Sequence, residues 1–231
     1  MSAKYTGDAK NIVFIGEAGS GKTETAVNLA LLMAAEGERQ VHFFDMDQTK
    51  PLFRARDCEA QLVKGGVTFH FQAQYLDAPT VASGVGEALR DEGAAVLMDV
   101  GGGSHGSHMI GQFSRFLGGE GSLVLYIVNP YRPWSGTRAD IDLTMRRVLG
   151  AARLGGYSLV ANPNLGPGTM AADVLEGLRR FERLFPGEEP RFVCALEELC
   201  SELAGLVRAP LLPIRLNTVP EWLAGSGMSG V

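Results

Sequence analysis

The residues with the clearest chemistry are Gly16-Glu17-Ala18-Gly19-Ser20-Gly21-Lys22-Thr23, an instance of the spacing GxxxxGK[ST]. Glycines at those positions let the backbone curl until successive N–H groups face one point, which is what phosphate oxygens require. A lysine at the end of the curl neutralises β- and γ-phosphate charge, and the hydroxyl beside it ligates Mg²⁺. The candidate nucleotide-binding set is therefore Gly16, Glu17, Ala18, Gly19, Ser20, Gly21, Lys22, Thr23 and the adjoining Glu24.

A triphosphate site also needs carboxylates for the metal and the attacking water. Asp99 follows the apolar run Ala94-Ala95-Val96-Leu97-Met98, the Walker B arrangement, in which a strand delivers one acid to Mg²⁺ directly or through its water. The bland alternative is a strand-end aspartate capping a turn. Gly101-Gly102-Gly103 behind it predicts a mobile loop able to sense a γ-phosphate. Phe43-Phe44-Asp45-Met46-Asp47 ends another strand with two acids. If that strand neighbours the first, one acid orders the metal and the other orients water; otherwise they form an acidic turn. Thr23, Asp45 and Asp99 are thus the candidate Mg²⁺ residues. Lys22, Asp47 and Asp99 are the candidate catalytic ones.

What must position these groups is an alternation of short apolar strands and longer helical stretches, which predicts a doubly wound α/β fold with a mostly parallel sheet. Strands are expected at Asn11–Ile15, Val41–Asp45, Val67–Phe71, Ala94–Asp99, Leu123–Val128, Tyr157–Ala161 and Phe192–Leu196. Helices are expected from about Lys22 to Glu36 with Gly37 as its stop, at Thr80–Arg90, from about Ala139 to Leu154, and at Met170–Leu184. Continuous apolar strands suit a sheet covered on both faces, whose ligands collect beyond the strands' carboxyl ends. The Gly16 loop, Asp45, Asp47, Asp99, Asn129 and Asn162 all fall there. Residues 1–231 read as one domain, with a core of about 11–214 and a small polar tail at 225–231.

These motifs resemble the ParA/MinD/CobQ-like P-loop ATPases over about Asn11 to Leu196, most specifically in the loop, in Phe43 to Asp47 and in Leu97-Met98-Asp99-Val100-Gly101-Gly102. The resemblance implies ATP and Mg²⁺ as cofactors, Asp45 and Asp47 as switch I acids, Asp99 as the start of switch II, and Asn162 on the adenine edge. It also implies a homodimer and a protein partner. A narrower likeness is to a ParA-like branch with Asn129-Pro130-Tyr131-Arg132-Pro133 after one strand and Asn164-Leu165-Gly166 after the next. The family's defining loop carries a second lysine after its first glycine, and here that position is Glu17. A carboxylate repels a triphosphate. The lysine's role then passes to an arginine (Arg54, Arg56 or Arg132), or the dimer forms otherwise, or hydrolysis is slow. A slow or partner-stimulated ATPase switch is the leading expectation. A small-molecule kinase or ligase resembling dethiobiotin synthetase, and a nucleotide-gated module that never hydrolyses, are the alternatives.

Composition narrows the rest. A formal charge of −5 and hydrophobic content of 45% fit an ordinary globular domain and give nucleic acid no basic surface. No apolar run approaches a membrane span. Cys58, Cys194 and Cys200 lack zinc spacing, and the polar N-terminus reads as no secretory signal, so a reducing cytoplasm is expected. His105 and His108 lack an evident third ligand and read mainly as part of a polar loop. Tyr131 and Trp134 flank either a ligand or the sheet.

Overall fold

The structure, a computed structural model, describes residues 1–47, 55–71, 84–101 and 104–217. Its centre is an eight-stranded, wholly parallel sheet in the order β3-β2-β4-β1-β5-β6-β7-β8. The strands are β1 (Asn11–Ile15), β2 (Gln40–Asp45), β3 (Thr68–His70), β4 (Ala94–Asp99), β5 (Ser122–Val128), β6 (Ser158–Ala161), β7 (Val193–Leu196) and β8 (Leu211–Ile214). Every residue of β1 and β4 is buried. Because successive side chains point to opposite faces, both faces of such strands must be apolar. Ile12 and Phe14 accordingly enter one core with Phe43 and Leu97, while Val13 and Ile15 enter the other with Phe44 and Met98.

Helices cover both cores, giving three α/β/α layers. Helix α1 (Ala3–Thr6), α2 (Lys22–Glu36) and α3 (Glu59–Lys64) supply Tyr5, Leu29 and Leu62 to the first core. The second takes Val85 from α4 (Val85–Ala88), Ile110 from α5 (Ser104–Gly111) and Leu117 from α6 (Ser114–Leu117). It also takes Ile141 and Met145 from α7 (Arg138–Ala152), Val174 and Phe181 from α8 (Ala171–Leu184), and Leu203 from α9 (Cys200–Leu203). Gly37 does stop α2, at φ 66° with its N–H on the Ala34 carbonyl, and Thr137 caps α7 through the Asp140 N–H.

Two features depart from the expectations, and a third settles a condition the sequence leaves open. Strand β8 was not anticipated, because Leu-Leu-Pro-Ile carries a proline; it lies at the sheet's edge, where a missing N–H is tolerated. The polar stretch from Ser104 is not a loop but the start of α5, which packs on α7. Strand β2 does not neighbour β1, since β4 lies between them. Of the helix expected at Thr80–Arg90, Val85–Ala88 is helical, and residues 80–83 lie outside the described residues, as do Gly102, Gly103, Arg54 and the tail 225–231. Among the described residues no helix is long and apolar enough to cross a membrane.

Candidate functional site

The phosphate loop joins β1 to α2, and two of its glycines are there of necessity. Gly16 has φ 142°, and a Cβ on it would stand 2.6 Å from the Ile127 carbonyl oxygen of β5. Gly21, at φ 92° and ψ 20° as the N-cap of α2, presses so closely on Asn162 that a Cβ would collide with its amide nitrogen. L-residues reach such angles only with strain.

Side chains grip this loop by its carbonyl groups. Lys22, only 2% exposed, donates from Nζ to the Glu17 carbonyl at 2.9 Å. Asn162, ending β6, donates from Nδ2 to the Ser20 carbonyl at 2.8 Å. Arg132, in the segment after β5, donates from Nε to the Gly19 carbonyl at 3.1 Å. In a planar trans peptide the next residue's N–H points away from the carbonyl. Holding Ser20 O therefore fixes the plane of the Ser20–Gly21 peptide and with it the direction of the Gly21 N–H. Asn162 was expected on an adenine edge; the structure assigns its NH₂ group to the loop itself.

The metal side is built from the ends of three strands. Asp99 of β4 is in register with Phe14 of β1 on one side and Asp45 of β2 on the other. Asp99 is 1% exposed and accepts from the Thr23 hydroxyl at 2.6 Å, a charge-assisted O–H···O⁻ bond. Two of the three expected metal residues are thus in direct contact. The third, Asp45, is reached across β4. Its carboxylate accepts from the Asp47 N–H at 3.0 Å and pairs with Arg56 Nε at 3.2 Å. Burial pushes the Asp45 carboxyl above the usual carboxylate range, with the Asp47 N–H and Arg56 pulling it back only in part. Arg56 also donates from Nη2 to the Asp47 carbonyl at 3.1 Å. Sequence alone offers Arg56 as a stand-in for the missing lysine, and the structure commits it to the Asp45 carboxylate and the Asp47 carbonyl. A Cβ on Gly101 would stand 2.7 Å from Asp47 Oδ1, so the segments carrying Asp47 and Asp99 touch where they leave the sheet.

Glu24 has an unforeseen role. Its carboxylate accepts from the backbone N–H of Asn217 at 2.5 Å and from that residue's Nδ2 at 3.0 Å, tying the segment after β8 to α2. His108 is exposed on α5, and the His105 side chain lies outside the described residues. Among the described residues no three His, Cys, Asp or Glu side chains gather into a metal cluster. Cys58 and Cys194 are buried and Cys200 half-buried, all as free thiols. Tyr131 staples its segment to the fold, donating to the Asp173 carbonyl at 2.6 Å.

These residues fit a magnesium–nucleoside triphosphate. The loop is pre-curled, its lysine and threonine sit where phosphate charge and metal are handled, and the buried Ser20 Oγ lacks a hydrogen-bond partner among the described residues. An anion in the loop would satisfy such a hydroxyl.

No protein family matches the chain in a sequence comparison, and no curated protein does either. Among solved structures the chain is similar to the signal recognition particle receptor FtsY of Elizabethkingia anophelis in complex with GDP, at 20% identity and a TM-score of 0.46, over 74% of this chain and 54% of that one. It is similar to FlhF complexed with GMPPNP/Mg²⁺ at 15% identity and a TM-score of 0.48, over 81% of this chain and 66% of FlhF. The 54 kDa signal recognition particle protein of Aeropyrum pernix K1, in complex with GDP, gives 18% identity and a TM-score of 0.36 over 82% of this chain and 35% of that one. The chain spans less than two thirds of each of these proteins, and their nucleotides are theirs. What stands for this chain is read from its own sheet and loop: a three-layer α/β/α domain with a P-loop between its first strand and second helix.

Proposed function

We propose that this protein binds a nucleoside triphosphate with Mg²⁺ at the loop Gly16–Thr23 and hydrolyses it slowly, the nucleotide state switching contacts to a protein partner. The observation that carries the reading is the joint placement of Lys22 on the loop, the Thr23 hydroxyl on Asp99, and Asp45 in register beside Asp99. Lys22 leaves the Glu17 carbonyl for phosphate oxygens. Thr23 and Asp99 would hold the metal, whose charge would offset that of the phosphates. Asp47, at the Gly101 contact, would orient water, and Asp45, once released by Arg56, would serve the metal's bound water. Catalysis of this kind is positioning and electrostatics. The Glu17 carboxylate in the same loop opposes negative charge, which is why slow turnover is proposed.

ATP is the nucleotide that the ParA/MinD-like resemblance implies. The experiment is calorimetric titration of the purified protein with ATP and, separately, GTP, each with Mg²⁺, repeated on Lys22→Ala. Binding of ATP by wild type, lost in the variant, is expected. Unchanged binding by Lys22→Ala would refute the site, and a preference for GTP would refute the nucleotide.

A further inference from the structure

Glu17 adds a negative charge to a loop shaped for anions, and Arg132 brings a positive charge to the same loop. We propose that Arg132 is a second triphosphate-binding cation, delivered in cis from the segment after β5 and anchored on the loop by its own Nε. The inference rests on the phosphate-loop reading above and assigns that site one more ligand.

The anchor is specific. Nε of Arg132 lies 3.1 Å from the Gly19 carbonyl oxygen, and among the described residues that is the one hydrogen bond its side chain makes. A guanidinium has five N–H donors in a rigid fork. One is spent on the loop, and the four on Nη1 and Nη2 stay on an exposed head without a carboxylate partner among the described residues. An arginine fork held against a phosphate loop in this way suits phosphate oxygens, which it meets two at a time.

The segment carrying it is braced at Asn129, Tyr131 and Arg132. The Asn129 side chain accepts from the Tyr131 N–H at 3.0 Å and donates to the Asn164 carbonyl at 2.8 Å. The Arg132 N–H closes a turn on the Asn129 carbonyl at 3.1 Å. Tyr131 is pinned to α8 by its hydroxyl, with the Arg180 guanidinium 4.8 Å from its ring centroid. Pro133 then opens a short 3₁₀ turn, Pro133–Ser135. Trp134 reaches the loop as well, its Cζ2 3.5 Å from where a Gly19 Cβ would be. A backbone held by these local bonds, with the side chain tethered at Nε, leaves the guanidinium less freedom to lose on meeting a ligand.

The test exploits side-chain topology. In glutamine the amide nitrogen hangs on Cδ as Nε does in arginine, so Arg132→Gln keeps a donor for the Gly19 carbonyl and removes only the charge and the fork. Arg132→Lys keeps the charge. Titration of wild type and both variants with Mg–ATP or Mg–GTP, whichever wild type binds, should show Arg132→Gln weakened by about 10- to 100-fold, the range of a charge-assisted bond to phosphate. Arg132→Lys should lose less than Arg132→Gln. Removing the opposing charge in Glu17→Gln/Arg132→Gln should recover part of the loss. Equal affinity of wild type and Arg132→Gln would overturn the proposal, leaving Arg132 a mere brace. So would an Arg132→Lys as weak as Arg132→Gln. A wild type that binds neither nucleotide would instead overturn the phosphate-loop reading beneath it.

Discussion

The contact between Gly21 and Asn162 allows the loop's preorganisation to be measured without any ligand. Gly21→Ala places a methyl group at φ 92° against Asn162 Nδ2, which must give way. The left-handed backbone costs an L-residue about 1–2 kcal/mol. Displacing Asn162 breaks its 2.8 Å bond and strands the buried Ser20 carbonyl, worth about 1–3 kcal/mol. The single variant should therefore lose about 2–5 kcal/mol, as the sum of those two effects. Asn162→Ala alone should lose only the bond, about 1–3 kcal/mol. In the double variant the collision is gone and the bond can be lost only once. Its penalty should match that of Gly21→Ala, falling short of additivity by about 1–3 kcal/mol. Urea unfolding followed by far-UV circular dichroism reads this as a midpoint shift at constant slope. Penalties that simply add would refute the claim that Asn162 and the loop are one mechanical unit.

Two further predictions concern groups away from the loop. His42 Nδ1 and His70 Nε2 lie 3.0 Å apart across β2 and β3, and burial holds both imidazoles below their ordinary value of 6.5, with Asp91 offsetting part of the shift at His42. The unfolded chain then binds more protons than the folded one below pH 6.5, so stability falls as pH drops through that value toward the lowered ones. Urea midpoints between pH 7.5 and 5 should show it, and His42→Gln/His70→Gln should flatten the slope; an unchanged slope would count against the pair. Burial pushes the Cys58 and Cys194 thiols up to about 12, so at pH 8 about one in ten thousand is ionised. Iodoacetamide mass mapping of the native protein should label Cys200 first and the other two only on unfolding. Early labelling of Cys194 would mean that its packing against Thr25 opens readily.

The parts legible in the sequence are those fixed by local chemistry. The loop's spacing, the unbroken apolar runs of β1 and β4 and the glycine stop of α2 each follow from neighbours within a few residues. What was hidden depends on which strands lie side by side. Nothing local says that β4 separates β2 from β1, so the route of Asp45 to the site could not be read, nor its capture by Arg56. Pro213 disguised β8, whose edge position excuses it. Glycine and histidine in Ser104-His105-Gly106-Ser107-His108 argue for a loop by intrinsic preference; packing of α5 on α7 overrides it.

The same distinction bears on how the site comes into being. The motif is local, but its supports are distant: Asp99 meets Thr23 across 76 residues, Arg132 meets Gly19 across 113, and Asn162 meets Ser20 across 142. A fragment holding β1, the loop and α2 would contain every consensus residue and none of these three supports. The loop's N–H groups are therefore aimed only after β4, β5 and β6 have joined the sheet, and the orientation is a property of the assembled fold. A ligand that needs the aimed loop binds the native state alone and raises its stability by mass action. That linkage reaches as far as β6, because Asn162 must be in place for the loop to hold its shape. Conversely, loosening β6 should weaken phosphate binding without touching a single consensus residue.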